Sequence, residues 1–270
     1  MKDIVKDYTF HPYSGNPKII AQKIEEDKIY KYLPIRHFLS SFFRNEIYLA
    51  NPNTWPDPFE QNYQSTVETM KVTNNEMMEE IMGKIRGYYP FATCFASGLK
   101  NEQASWNAHI KGNTPVIRVA IDYQKFLKEL SKCSCGEKEF LYISKMEYKS
   151  RNQILTPEPL IDDNNEYDLK DLYIRNFSLK QEAYEFEGEI RLTLLTDVSE
   201  EGRSFRVLTG INWKNFIHHI TLPPVFGGND EAVFTLKKVL RMTLDPDIKL
   251  YKSTLYEVKN LTEERYSINI

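Results

Sequence analysis

Apolar and polar residues alternate along the first half of the chain in a pattern that predicts strands and helices in turn. Two short apolar runs, Ile29–Tyr32 and Ile47–Leu49, have the length and composition of strands. The residues between them predict a helix, because apolar side chains recur there at the spacing that puts them on one helical face. These side chains are Phe38, Leu39, Phe42 and Phe43.

The next segments continue this pattern. Residues 91–96 (FATCFA) and 115–123 (PVIRVAIDY) predict strands, and the residues between them predict a helix around 101–110. Residues 74–89 predict a further helix with one apolar face. This mixture of strands and helices predicts an α+β fold, in which a mixed and split β-sheet is flanked by helices.

The middle of the chain fits this pattern less well. After a first helix, it predicts a strand at 140–148, an acidic loop at 157–168 and a helix that runs to about Ala183. We therefore predict a single domain over residues 1–270, with residues 123–183 as a candidate helical and loop insertion. The last part of the chain predicts a strand, a helix and a final strand.

Composition and charge limit the function classes. The chain has 270 residues, 41% of them apolar, which is enough to bury a core. Its 35 basic and 38 acidic residues are well mixed, so the chain lacks the positive field that general binding to duplex DNA requires. It contains no apolar stretch of about 18 residues, the length needed to span a membrane. We expect a cytoplasmic protein, and the low count of three cysteines agrees with this.

The stretch EFEGEIRLTLL has the most unusual charge pattern in the chain. Read as a strand, it places Glu185, Glu187, Glu189 and Arg191 on one face, while the residues between them face the core. Such a row is typical of a solvated face on which the arginine partly neutralises the carboxylates. Gly188 favours a second interpretation, because a glycine inside a strand often permits the close approach of another group. In that case the row ends in a functional cleft.

Five short segments, taken in order, resemble the bacterial domain of unknown function 2971 family. They are IYKYL with Tyr30, Lys31 and Tyr32, WPDPFE with Asp57 and Glu60, TCFAS with Cys94 and Phe95, SWNAH with Trp106, and KQEAYEFEGEIR with Lys180, Glu187, Glu189 and Arg191. This chain departs from the family pattern at Pro56, Ala96, His109 and Tyr184. The resemblance implies no reaction, because the family has no established one, so the chemistry must be argued from the residues.

The Glu-Gly-Glu motif at 187–189 is also similar to the Glu-x-Glu motif of ADP-ribosyltransferases. In those enzymes a glutamate on a strand binds the nicotinamide ribose of NAD and stabilises an oxocarbenium-like state. They also place a basic or aromatic residue on an early strand and a serine on a middle strand, and residues 30–32 and Ser97 occur here in that order. The resemblance implies Glu189 and Glu187 as catalytic carboxylates and NAD as the substrate.

The same resemblance implies roles for the other polar and aromatic residues. Lys31 would meet the pyrophosphate, Tyr32 or Trp106 would stack on nicotinamide, and Ser97 would orient the ribose. Arg191 would be a second contact to the dinucleotide. The expected partners are a small nucleotide ligand and a macromolecular acceptor. Each ring has packing in the core as its alternative role.

Two other functions fit the same residues. The prolines of WPDPFE hold a stiff loop that presents Asp57 and Glu60, and an acidic cleft formed with the glutamate strand would bind a divalent metal and support phosphodiester cleavage. The second of these alternatives is a non-catalytic module that binds a nucleotide or a protein. Tyr30, Asp57 and Glu60 complete the predicted pocket. The sequence alone does not contain a metal motif.

Overall fold

The computed structural model of the protein describes residues 10–55, 88–99, 102–110, 115–155, 169–197, 202–224, 230–244, 246–253 and 255. Three predicted features lie outside these residues. They are the pair Asp57 and Glu60, the helix predicted at 74–89 as far as residue 87, and the acidic loop at 157–168. The last two residues of that predicted helix are not helical, because a strand begins at Tyr88.

Thirteen strands and six helices make up the described part of the chain. The strands are β1 (Phe10–Tyr13), β2 (Asn16–Gln22), β3 (Lys28–Pro34), β4 (Glu46–Ala50), β5 (Tyr88–Ala96), β6 (Val116–Asp122), β7 (Phe140–Lys145), β8 (Glu147–Lys149), β9 (Leu179–Gln181), β10 (Glu189–Asp197), β11 (Phe205–Thr209), β12 (Ile217–Leu222) and β13 (Lys249–Lys252). The helices are α1 (Ile35–Arg44), α2 (Glu102–His109), α3 (Tyr123–Leu130), α4 (Arg151–Leu155), α5 (Leu169–Phe177) and α6 (Asp230–Thr243). Short 3-10 helices span Pro52–Thr54, Glu182–Glu187 and Trp213–Asn215.

Eleven of these strands form one mixed sheet, with the main order β1-β2-β7-β10-β5-β3-β6-β12-β13. The sheet divides at β5, because Ala96 pairs with Tyr30 of β3 whereas Ala92 pairs with Ala50 of β4, which continues to β11. A separate parallel pair joins β8 and β9. The predicted α+β class, with a mixed sheet flanked by helices, is confirmed.

The main sheet has two chemically different faces, both visible on β10. We call the side that carries Ile190, Leu192 and Leu194 the apolar face, and the side that carries Glu189 and Arg191 the charged face. Residues opposite each other on paired strands share a face, so the strand registers extend both faces across the sheet.

Helices cover both faces. On the apolar face, α1 and α3 bury Phe38, Phe42 and Phe126 in the large core. On the charged face, Trp106 of α2 packs against β3, and Phe177 of α5 belongs to a smaller aromatic cluster over β7 and β10. None of the helices in the described part of the chain is long and apolar enough to cross a membrane.

The segment 123–183, predicted as an insertion, contributes both to the main sheet and to the small one. The single strand predicted at 140–148 is two strands, because β7 lies between β2 and β10 whereas β8 pairs with β9. The helix predicted to run to Ala183 is wrong, since α5 ends at Phe177. The buried Ser178 follows it, and its hydroxyl donates to the carbonyl of Ile174 at 2.7 Å.

Candidate functional site

The Glu-Gly-Glu motif does not lie on a single strand. A 3-10 helix spans Glu182–Glu187, Gly188 ends it, and β10 begins at Glu189. Gly188 has a φ of 49°, in the left-handed region that favours glycine, and its N–H donates to the carbonyl of Glu185 at 3.1 Å. The prediction of four charges in a row on one strand face is therefore wrong, since only Glu189 and Arg191 share such a face.

Ser97, the residue directly after β5, holds Gly188 against the end of the sheet. The Ser97 N–H donates to the carbonyl of Gly188 at 2.7 Å. A Cβ atom built on Gly188 would lie 2.9 Å from Ser97 Oγ, which is closer than real Cβ contacts allow. The left-handed φ and this close approach together favour a glycine at position 188, and the approach places Glu187 next to the end of β5.

Four charged side chains form a continuous ion-pair chain from the surface into the charged face. Lys180 Nζ lies 2.6 Å from Glu187 Oε2 and 2.7 Å from Glu189 Oε2, and Arg191 Nε lies 2.7 Å from Glu189 Oε1. The exposed fraction of the side chain falls from 24% for Glu187 to 7% for Lys180, 3% for Glu189 and 1% for Arg191. Glu187 is therefore the carboxylate of the motif that solvent and a ligand can reach.

The inner carboxylate, Glu189, is held in the ionised state. Burial opposes its ionisation, but the charges and hydrogen bonds of Arg191 and Lys180 outweigh burial and bring the pKa of Glu189 down to about 2. Its backbone N–H also donates to the hydroxyl of Tyr148 at 2.7 Å. The predicted role of Glu189 as an accessible catalytic group is not compatible with this burial, and its position is that of an internal counterion.

Aromatic rings surround the cations of the ion-pair chain. The Arg191 guanidinium lies 4.9 Å from the ring centroid of Trp55 and 4.7 Å from that of Phe177, and its Nη1 donates to the carbonyl of Phe177 at 2.9 Å. Lys180 Nζ lies 5.2 Å from the ring centroid of Tyr184. These contacts compensate for part of the cost of removing both cations from water.

A second cluster on the charged face contains the predicted nicotinamide rings. Tyr32 meets Trp106 edge to face at 5.0 Å and stacks on His109 at 4.9 Å. Trp106 is fully buried and donates its indole N–H to Glu102 Oε1 at 3.1 Å, and that oxygen also pairs with Arg118 at 2.6 Å. Tyr32 and Trp106 therefore pack in the interior, and the solvent-exposed ring of this cluster is His109.

Lys31 points away from all of these residues. Adjacent residues of a strand face opposite sides, so Lys31 lies on the apolar face while Tyr30 and Tyr32 lie on the charged face. Its Nζ donates to Thr93 Oγ1 at 2.5 Å and to the carbonyl of Cys94 at 3.0 Å. The prediction that Lys31 shares a site with Tyr32 is not compatible with this geometry.

The structure therefore brings some predicted residues together and separates others. Tyr30, Tyr32, Trp106, Glu187, Glu189 and Arg191 lie on or above the charged face, with Ser97 at its end. The helix α2 packs against both β3 and the 3-10 helix that carries Glu187, so the two clusters are neighbours. Lys31 lies on the other face, and Asp57 and Glu60 fall outside the described residues.

Two residues of the charged face received no role from the sequence. Lys180 joins the two glutamates of the motif, and Arg118 is a buried cation within β6. The sequence did contain a signal for Arg118, because an arginine in the middle of the apolar run VIRVAID needs a partner for its charge. Glu102 supplies that partner.

Among the described residues, no group of three or more His, Cys, Asp or Glu side chains is placed to hold a metal ion. Within the ion-pair chain, the Lys180 ammonium lies between the carboxylates of Glu187 and Glu189. A metal ion bound by both carboxylates would have to displace this ammonium.

Comparison of the chain with protein-family models, with curated proteins and with solved structures finds no match. The function of the chain is therefore inferred from the geometry of the charged face.

Proposed function

We propose that the chain is an NAD-using, ADP-ribosyltransferase-like enzyme whose site lies on the charged face at the ends of β5 and β10. The observation that supports this proposal is the adjacency of the three motif strands. The Tyr-Lys-Tyr strand β3, the strand β5 before Ser97 and the strand β10 after Glu187 are neighbours in the order β10-β5-β3. Residues that are far apart in sequence are thereby available to one ligand.

Glu187 is the working carboxylate of the proposed site. Cleavage of the bond between nicotinamide and ribose leaves a positive charge developing on the ribose, and a fixed carboxylate next to it stabilises that charge. Glu187 is partly exposed and is oriented by Lys180, while Glu189 lies deeper. In this arrangement Glu189 is a positioning residue, because it fixes Lys180, which in turn fixes Glu187.

The neighbouring residues suit the nicotinamide ribose half of NAD. Ser97 Oγ lies beside Gly188, within reach of the space where a ribose hydroxyl would lie, and the exposed ring of His109 lies on the same face of the sheet. The ring of Tyr32 stacks on the ring of His109 and holds it in place. Among the described residues we assign no cation to the pyrophosphate, since Lys31 lies on the opposite face and Arg191 is fully buried.

The order of the five motifs is the basis for a further part of the proposal, that the chain is a member of the domain of unknown function 2971 family. The similarity of Glu-Gly-Glu to the ADP-ribosyltransferase motif is the basis for proposing transfer of ADP-ribose to a macromolecular acceptor, and the low cysteine count is the basis for placing it in the cytoplasm. The metal-dependent nuclease is less favoured, because the Lys180 ammonium already lies between the two glutamates of the motif, where the metal ion would bind.

The test is to measure both the melting temperature and nicotinamide release at millimolar NAD, with a chelator present. We expect NAD to raise the melting temperature, because a ligand that binds only the folded state stabilises it, and we expect nicotinamide to appear. A shift without nicotinamide would show a binding module. Stabilisation by Mg²⁺ or Mn²⁺ alone, with no response to NAD, would support the nuclease alternative.

A further inference from the structure

A cavity of about 460 Å³ lies at the division of the sheet, where β3 and β4 separate along β5, and the proposed NAD site does not use it. It lies between α1 and the strands β3, β4, β5 and β11, and it is lined by Lys31 and Thr93 together with Tyr48, Phe205 and Arg44. A volume of this size is typical of pockets for small molecules.

Lys31 is a cation without a carboxylate partner in this cavity. Its Nζ bonds two neutral oxygens, Thr93 Oγ1 and the Cys94 carbonyl, and lies 4.6 Å from the ring centroid of Phe95. None of the described carboxylates forms an ion pair with it. Burial lowers the pKa of Lys31 to about 8, and nearby Cys94 and Glu189 offset only part of that effect. At neutral pH the ammonium remains mostly charged, and a half-buried charge of this kind is stabilised by an anion.

The charges on the cavity wall also favour an anion. Arg44 is exposed and lies 3.7 Å from Glu46, the acidic residue that lines the cavity. Lys31 and Arg44 together outnumber this single carboxylate, so the lining carries an excess of positive charge.

Two aromatic rings of the lining are exposed to solvent. Tyr48 of β4 and Phe205 of β11 stack at 4.7 Å with an interplanar angle of 24°, and their exposed fractions are 49% and 47%. Large rings exposed side by side next to a cavity provide a surface on which a planar ring can stack.

We propose that this cavity binds a small aromatic or heteroaromatic ring that carries an anionic group, with the anion at Lys31 and the ring against Tyr48 and Phe205. The lining of this cavity shares no residue with the proposed NAD site, and this proposal does not depend on that site. Phosphate and carboxylate share the required chemistry, so the test has to separate these two sources.

The test compares charged probes with neutral ones by isothermal titration calorimetry. Adenosine monophosphate is compared with adenosine, and benzoate is compared with benzamide. We expect at least one anion to bind about tenfold or more tightly than its neutral partner, and the anion that binds identifies phosphate or carboxylate as the group recognised. Equal binding within each pair, or no binding of either anion at millimolar concentration, would overturn the proposal.

Variants then assign the preference to residues. Lys31→Met keeps most of the length of the side chain and removes its charge, so it should abolish the preference for the anion, whereas Lys128→Met on the exposed side of α3 should retain it. Phe205→Ala removes an exposed ring and should weaken charged and neutral probes alike, by about fivefold or more. A preference that survives in Lys31→Met would contradict the proposal. If that variant does not fold, unchanged affinities in Phe205→Ala would contradict it instead.

Discussion

At the scale of single residues, the two glutamates of one motif have different roles because their surroundings differ. Glu187 and Glu189 both bond Lys180, and Glu189 also pairs with the fully buried Arg191. The sequence predicted that these charges lie close together. It did not predict which carboxylate is exposed, because that depends on α5 and on the rings of Trp55 and Phe177, which are distant in sequence.

Replacing Glu189 with Gln should destabilise the fold, because it leaves Lys180 and Arg191 buried without their shared counterion. The expected loss at pH 7 is about 3 kcal/mol in the free energy of unfolding, whereas Glu185→Gln on the exposed surface should change it by less than about 0.5 kcal/mol. Urea denaturation of both variants measures the difference. Equal stability of the two variants at pH 7 would show that the ion-pair chain does not support the fold.

The difference in stability between the wild type and Glu189→Gln should depend on pH in a defined way. The folded pKa of Glu189, about 2, lies below its ordinary value of 4.5, so the unfolded state binds the proton more readily. The stabilisation from this ionised carboxylate is present above about pH 4.5 and is lost as the pH falls towards 2. The stability difference between the wild type and Glu189→Gln should therefore shrink over that range. A difference that stays constant would contradict the lowered pKa.

At the scale of elements, apolar periodicity predicted β3, α1, β4, β5 and β6, because each is a run of core residues with a clear period. The helix α2 was also predicted, although Ser105 and Trp106 are its only buried residues. The same rule failed at residues 185–188, where alternating charges have the period of a strand but Gly188 ends a 3-10 helix. The periodicity of a strand also gives information about Lys31 that the functional prediction did not use. Lys31 and Tyr32 are adjacent on a strand, so the period of two already places them on opposite faces.

Gly188 can be tested directly as the residue that sets this junction. An alanine there would have to adopt a left-handed φ and would place its Cβ against Ser97 Oγ, so Gly188→Ala should destabilise the fold by about 1 to 2 kcal/mol. Gly98→Ala is the matched control, because a Cβ at Gly98 has no atom within 4 Å. The melting temperatures of the two variants measure this difference in stability. A Gly188→Ala protein as stable as Gly98→Ala would mean that the junction relaxes without cost.

At the scale of the whole molecule, the fold class followed from the sequence but the sheet order did not. The neighbours of β10 are β7 and β5, which are separated from it by tens of residues, and such pairings depend on the packing of the complete core. From the sequence, the meeting of the motif residues on the charged face could therefore be predicted only as a hypothesis. The central claim about the site is that Glu187 acts on NAD while Glu189 and Lys180 hold Glu187 in place.

The most direct test of this claim is the rate of nicotinamide release from NAD by Glu187→Gln compared with Glu185→Gln. Both substitutions remove one carboxylate from the same 3-10 helix, and Glu185 is exposed. We predict that Glu187→Gln lowers turnover by about 100-fold, the scale expected for the loss of one electrostatic contact to a transition state, while Glu185→Gln retains the wild-type rate. Wild-type turnover in a folded Glu187→Gln protein would contradict the account.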